Sequence, residues 1–146
     1  MRECPARLAG FGLIENLVAV CVVSIGLLGL LQLHLAALRV NRAALHVGRA
    51  VTLSADLAER LRANRDPADA YDCGGRCSAG VGGNAIAIAD LQSWLAAIAE
   101  RLPEGDGAVT YRAGTTGEPA QYLVTVSWRD VASSGGRAVH ALRVER

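Results

Sequence analysis

Lysine is missing altogether from these 146 residues, so the fifteen positive charges are all arginine, set against fourteen Asp and Glu. A chain this near neutrality, without a basic cluster, presents no electrostatic footprint for nucleic acid. Aromatic residues are scarce (two Trp, three Tyr, one Phe), which argues against base-stacking platforms. Catalytic signatures are missing too: there is no Gly-x-Ser-x-Gly, no phosphate loop and no His–Glu metal motif. Ser127, Asp130 and His140 can be drawn as a triad, but any chain of this size offers such a trio. No enzymatic activity and no cofactor are therefore expected. One absence is local: from Asn16 to Leu38, 23 consecutive residues carry no charge.

That gap holds an apolar run, "LVAVCVVSIGLLGLLQLHLAAL" from Leu17 to Leu38, longer than the roughly 20 residues a helix needs to cross a bilayer. A buried soluble helix of this length needs apolar neighbours all round it. The rest of so short a chain does not supply them, since small domains bury only about 60–70% of their surface. A cleaved secretory signal does not fit either. Its apolar core is about 7–15 residues with a small-residue site after it, whereas no such site precedes Arg39. Arginine counting opposes a cytoplasmic start, with Arg2 and Arg7 before the run and Arg39, Arg42 and Arg49 after it. Long domains, however, translocate largely regardless of flanking charge.

At the head of the run stands "GFGLIENLVA", Gly10 to Ala19, with a carboxylate at Glu15. Here the chain resembles the type IV pilin-like family, whose members carry a short basic leader, a Gly, an aromatic or Met, and a Glu at the fifth position after the cut. The leader is "MRECPARLAG", residues 1–10, and "LIENLVA" is similar to the family's "LIEVLVA". A second likeness narrows the choice to minor pilins of the PilV type, the type IV pilus modification proteins. Their helix often ends in an R-x-R-A-N-R-like run, here Arg60 to Arg65, followed by a Cys-containing loop beginning "AYDC", here Ala70 to Cys73. The likeness covers Gly10 to Cys77 and loosens afterwards. Gly12 replaces the usual Ser or Thr, and Asn16 stands where a hydrophobic residue is commoner.

The resemblance implies cleavage by a prepilin peptidase between Gly10 and Phe11 and methylation of the freed Phe11 amine. It implies further partners: other minor pilins, the major pilin, the inner-membrane assembly platform and inner-membrane lipid. Residues 11–38 would be the membrane and filament-core half of the first helix. Residues 39–146 would be a periplasmic head, carried later into the pilus. The nearest alternative is a minor pseudopilin of a type II secretion system; a membrane-anchored periplasmic redox or interaction module is the third.

Physical chemistry gives Glu15 a role on this reading. An amine at Phe11 has a reference pKa of about 7.7–8.0 and lies one helical turn away, on the same face. A first-turn carboxylate also meets the positive end of the helix dipole. An unpaired one in apolar surroundings costs about 2.5–3.5 kcal/mol on insertion scales. Pairing with a neighbour's amine offsets that cost and sets the axial register between two apolar helices, as one polar group does in a coiled coil. The plain alternative is a glutamate solvated at the headgroup interface.

The expected fold class is α+β, pilin-like. A long helix from Phe11 to Arg65 packs the Leu45, Leu53, Leu57, Leu61 stripe of its outer half on a small antiparallel sheet. Asp56 and Arg60 form an (i, i+4) pair on its outer face, and Pro67 ends it. "DLQSWLAAIAERLPEG" predicts a second helix with Asp90 as N-cap, an apolar stripe of Leu91, Trp94, Leu95, Ile98 and Leu102, and Pro103 as its stop. Ala108–Ala113, Gln121–Asp130 and Ala138–Glu145 predict a three-stranded meander, with Tyr122, Val124, Val126 and Trp128 sharing one face. In the Gly-rich loop between the helices, Cys73 and Cys77 best fit a structural disulfide in an oxidising compartment. A redox pair is more usually C-x-x-C, and a metal site needs further ligands, for which there are only His34, His46 and His140, one of them in the membrane segment. Cys4 leaves with the leader, and Cys21 is a small apolar residue of the membrane half.

Overall fold

The computed structural model describes residues 12–64, 69–78, 80–130 and 136–145. Its elements are α1 (Leu13–Ala63), β1 (Gly75–Arg76), α2 (Ala85–Arg101), β2 (Asp106–Arg112), β3 (Gln121–Arg129) and β4 (Arg137–Glu145). The four strands form one antiparallel sheet in the order β1-β2-β3-β4, so the layout is α+β and pilin-like. Two units are distinguished along the chain, with the boundary between Asn41 and Arg42.

In the first unit, every described residue from Gly12 to Asn41 is exposed, the large apolar ones included. Glu15 lies in the first turn of α1, where its N–H donates to the Gly12 carbonyl at 3.0 Å. Helix α1 is long and apolar enough to cross a membrane, and none of its most apolar stretch is buried.

In the second unit, α1 turns Ala50, Leu53, Leu57, Ala58 and Leu61 into the core. Ala50, Leu53, Leu57 and Leu61 follow one another at spacings of three and four on one helical face, with Ala58 beside them. Leu45 does not join them; it is 54% exposed, because the stripe enters the core only at Ala50. Ser54 is fully buried, and its hydroxyl donates to the Ala50 carbonyl of its own helix.

Helix α2 starts five residues before the expected cap. Asn84, with extended backbone, accepts the Ala87 N–H on its side-chain oxygen at 2.7 Å and caps the helix. Asp90 is therefore an interior residue of α2. At the other end the buried Leu102 closes the helix and Pro103 follows, as its lack of an N–H dictates. Leu91, Trp94, Ile98 and Leu102 are all buried, with Leu95 partly so. The indole N–H of Trp94 donates to the Leu53 carbonyl at 3.0 Å, tying α2 to α1. On its other side the same ring lies against Gly107 of β2. A Cβ there would sit 2.4 Å from the ring carbon Cζ3, so only glycine admits the indole.

The sheet alternates as its period of two requires. Tyr122, Val124, Val126 and Trp128 of β3 are buried, while Gln121, Leu123, Thr125 and Ser127 are half-buried on the opposite face. Val109 pairs with Val124, which pairs with Leu142, so one apolar row crosses β2, β3 and β4. Where three strands were expected there are four. The short β1 comes from the cysteine loop, Gly75 opposite Val109 and Arg76 opposite Ala108.

Candidate functional site

Three sets of residues were singled out by the sequence: the Gly10–Phe11 junction with Glu15, the Arg60–Arg65 run, and the "AYDC" loop. Gly10, Phe11 and residues 65–68, which include Pro67, lie outside the described residues. Glu15 is exposed, and among the described residues no cation pairs with its carboxylate.

The other two sets meet. Arg60, at the end of α1, reaches Asp56 one turn back at 3.0 Å and also Asp90 of α2 at 3.1 Å. The expected (i, i+4) pair is present and exposed at Asp56, and Arg60 adds a second, part-buried bond across to α2. Burial works against the Arg60 cation, but hydrogen bonds from its guanidinium to Asp90 and Asp56 and their negative charges outweigh it, raising its pKa. The Tyr71 hydroxyl donates to the second oxygen of Asp90 at 2.6 Å and accepts from the Asn64 amide at 3.1 Å. Tyr71 is completely buried, its ring meeting Tyr122 edge-on at 6.4 Å. Burial first, then the hydrogen bond to Asp90, pushes the phenol up to about 12. Arg60 and Tyr71, 11 residues apart, are gathered in a clasp onto one aspartate expected from the sequence to be a cap, and Asn64 joins them through the Tyr71 hydroxyl.

The loop then turns onto the sheet. Cys73 and Cys77 are disulfide-bonded, with Cα atoms 5.0 Å apart. The Cys73 N–H donates to the Val109 carbonyl at 3.0 Å and the Cys77 N–H to the Gly107 carbonyl at 2.8 Å. Gly74 and Gly75 hold positive φ (63° and 124°), so the two glycines make the turn between the cysteines possible. Arg76 forms an ion pair with Asp106 across the β1–β2 edge. The bridge thus staples a two-residue strand along β2.

Chemically reactive groupings are poorly placed. Ser127 lies on the outer face of β3, where its hydroxyl accepts from Arg137 at 2.8 Å. His140 pairs with Val126 and so lies on the opposite, core-side face. That separation breaks the Ser127–Asp130–His140 trio. Among the described residues no group of His, Cys, Asp and Glu is placed to hold a metal ion. A cleft of about 370 Å³ between the second half of α1 and α2 is lined by Thr52, Asp56, Arg60, Ser93 and Arg101 among others, and Asp56 and Arg60 are already paired there.

Sequence reading missed Asp90 as the centre of the clasp and missed the strand in the cysteine loop. The first had a signal: Asn84 after two glycines is a good N-cap, and moving the cap there frees Asp90. No family model matches the chain, and neither do any of the curated proteins or solved structures compared with it.

Proposed function

We propose that the chain is a minor type IV pilin, held in the inner membrane by the first half of α1 with its α+β head in the periplasm. A prepilin peptidase cuts between Gly10 and Phe11, the new amine is methylated, and the subunit enters a pilus, where it helps to start or modify the filament. Its partners on this reading are other minor pilins, the major pilin, the assembly platform and membrane lipid.

One observation carries the reading. An exposed apolar helix half of membrane length, headed by a single first-turn carboxylate, precedes a pilin-like head whose core draws on α1 only from Ala50 onward. Apolar surface on that scale calls for lipid or for neighbouring helices. A subunit stored in lipid and then moved among the apolar helices of other subunits uses both in turn. The Arg60–Asn64–Tyr71 clasp supports the narrower minor-pilin reading over a pseudopilin, since it gives the residues of that likeness a common structural task. The docked bridge supports a structural role for Cys73 and Cys77, in preference to redox work: Cys77 is 5% exposed, and both cysteine N–H groups are engaged by β2.

The test is the mature N-terminus. Edman or mass-spectrometric sequencing of the protein from its native membrane should find Phe11 first, with a modified amine. Gly10→Val, which blocks a peptidase pocket that admits no side chain, should leave the leader in place. A wild-type protein that keeps its leader, or a normally shortened Gly10→Val product, overturns the reading.

A further inference from the structure

The two edges of the sheet are treated differently. At one edge the chain covers β2 itself, with β1, the two cysteine N–H groups and the Arg76–Asp106 pair. The other edge, β4, runs nine residues without proline or bulge, and among the described residues nothing hydrogen-bonds to its outer side. Open edges of this length are templates for another strand, and proteins usually blunt them.

The register tells which groups are open. The Asp130 N–H donates to the Gly136 carbonyl at 3.0 Å, which makes 130 and 136 a hydrogen-bonded pair. Along the antiparallel ladder such pairs alternate. Ala138, His140, Leu142 and Val144 therefore bond inward to β3. Arg137, Val139, Ala141, Arg143 and Glu145 aim their N–H and C=O groups outward, and all five side chains are exposed on the outer face, Val139 by 63%.

We propose that this edge pairs with β4 of a second copy, antiparallel and centred on Ala141, to make one continuous sheet about a two-fold axis. The argument is charge complementarity. With Ala141 opposite its own mate, Arg137 faces the second copy's Glu145 and Glu145 faces its Arg137, while each Val139 faces the aliphatic stem of an Arg143. Opposite charges directly across an antiparallel pair stabilise it and like charges oppose it. Sliding the pairing by two residues one way sets Arg137 against Arg143, twice. Sliding it the other way sets Glu145 against Val139 and loses both ion pairs. A parallel arrangement stacks like on like. Only the register centred on Ala141 satisfies both termini of the strand, and there a small side chain sits on the axis, where a large one would meet itself. The contact is isologous, as two-fold pairs require, and its affinity comes chiefly from main-chain hydrogen bonds.

The experiment uses the full chain in detergent micelles, with Cys4→Ser and Cys21→Ser so that the introduced cysteine and the Cys73–Cys77 bridge are the only cysteine positions left. In the proposed register Ala141 lies about 5.5 Å, Cα to Cα, from its mate, which is within disulfide range. Ala141→Cys should therefore form a covalent dimer on mild oxidation. Val139→Cys alone should not, but mixed with Arg143→Cys it should. Glu145→Arg should lower the Ala141→Cys dimer yield about tenfold by replacing two attractions with two repulsions, and adding Arg137→Glu should restore it to within about twofold. Association through α1 alone predicts cross-linking indifferent to position and to these charges. That outcome, a monomeric Ala141→Cys protein, or a charge-swapped double variant that stays weak would each overturn the proposal, the monomer leaving the edge to a strand of some other subunit.

Discussion

Tyr71 is the residue on which the head's polar interior turns. Its hydroxyl is bound by Asp90 and Asn64 and its ring has no exposure, so the ionised phenolate is strongly disfavoured in the folded state. The sign follows directly. The folded pKa, about 12, lies above the ordinary value of about 10. Between these values the unfolded chain loses the proton and the folded one keeps it. The tyrosine's contribution is therefore whole below pH 10 and is lost as pH rises through 12. Tyr71→Phe should lower stability by about 1–2 kcal/mol at pH 8, and the difference from wild type should shrink between pH 10 and 12. Urea titrations of both proteins at pH 8 and pH 11 check this; a difference that does not change with pH would mean that the phenol is not held by Asp90. Gly107 sits at the same scale as a purely steric requirement: the Trp94 indole occupies the space where a Cβ would be.

Among the elements, β1 owes its existence to the cysteines. Two residues make no strand on their own; here a bridge across five residues, two left-handed glycines and two cysteine N–H donors lay Gly75 and Arg76 along β2. Closing so short a loop contributes about 2 kcal/mol, at the low end for disulfides. Reduction, or the double change Cys73→Ser with Cys77→Ser, should cost about that much and leave the core folded, since Leu57, Trp94, Val109 and Val124 stay packed. Hydrogen exchange should then speed up at the amides of positions 73 and 77 while those of β3 keep their protection. Unchanged protection at 77 would mean that the β ladder, and not the bridge, holds the loop.

At the scale of the molecule, the head and the first half of α1 face different demands. Among the described residues the head's core takes nothing upstream of Ala50, so a change at Glu15 should leave its unfolding transition unmoved. Glu15→Leu should insert in membranes at least as well as wild type, because a carboxylate costs about 2.5–3.5 kcal/mol there. On the pilin reading its entry into filaments should fall several-fold, with Glu15→Gln between the two, and cleavage at Gly10 should continue in both. Quantifying the subunit in purified filaments checks this: incorporation of Glu15→Leu at the wild-type ratio would return Glu15 to an idle interface residue.

What the sequence determined by itself was whatever a local pattern can carry. The membrane-length helix is a matter of 23 uncharged residues, the β3 face one of strict alternation from Tyr122 to Trp128, and the end of α2 one of Pro103. The α+β class follows from these periods, and the cysteine spacing was enough to suggest a bridge. Tertiary structure decided where side chains from distant segments meet. Asp90 reads as a cap beside its neighbours in sequence, but becomes the anchor of Arg60 and Tyr71 once α1 and α2 pack through Trp94 and Leu53. Leu45 obeys the helical period yet stays outside, because the stripe reaches the core only from Ala50. Gly75 and Arg76 have no strand pattern at all, and became a strand because β2 offered carbonyls within reach of a loop already held by its cysteines. Periodicity is written along one chain segment; partnership depends on two, and the free energy that selects it exists only after they have packed.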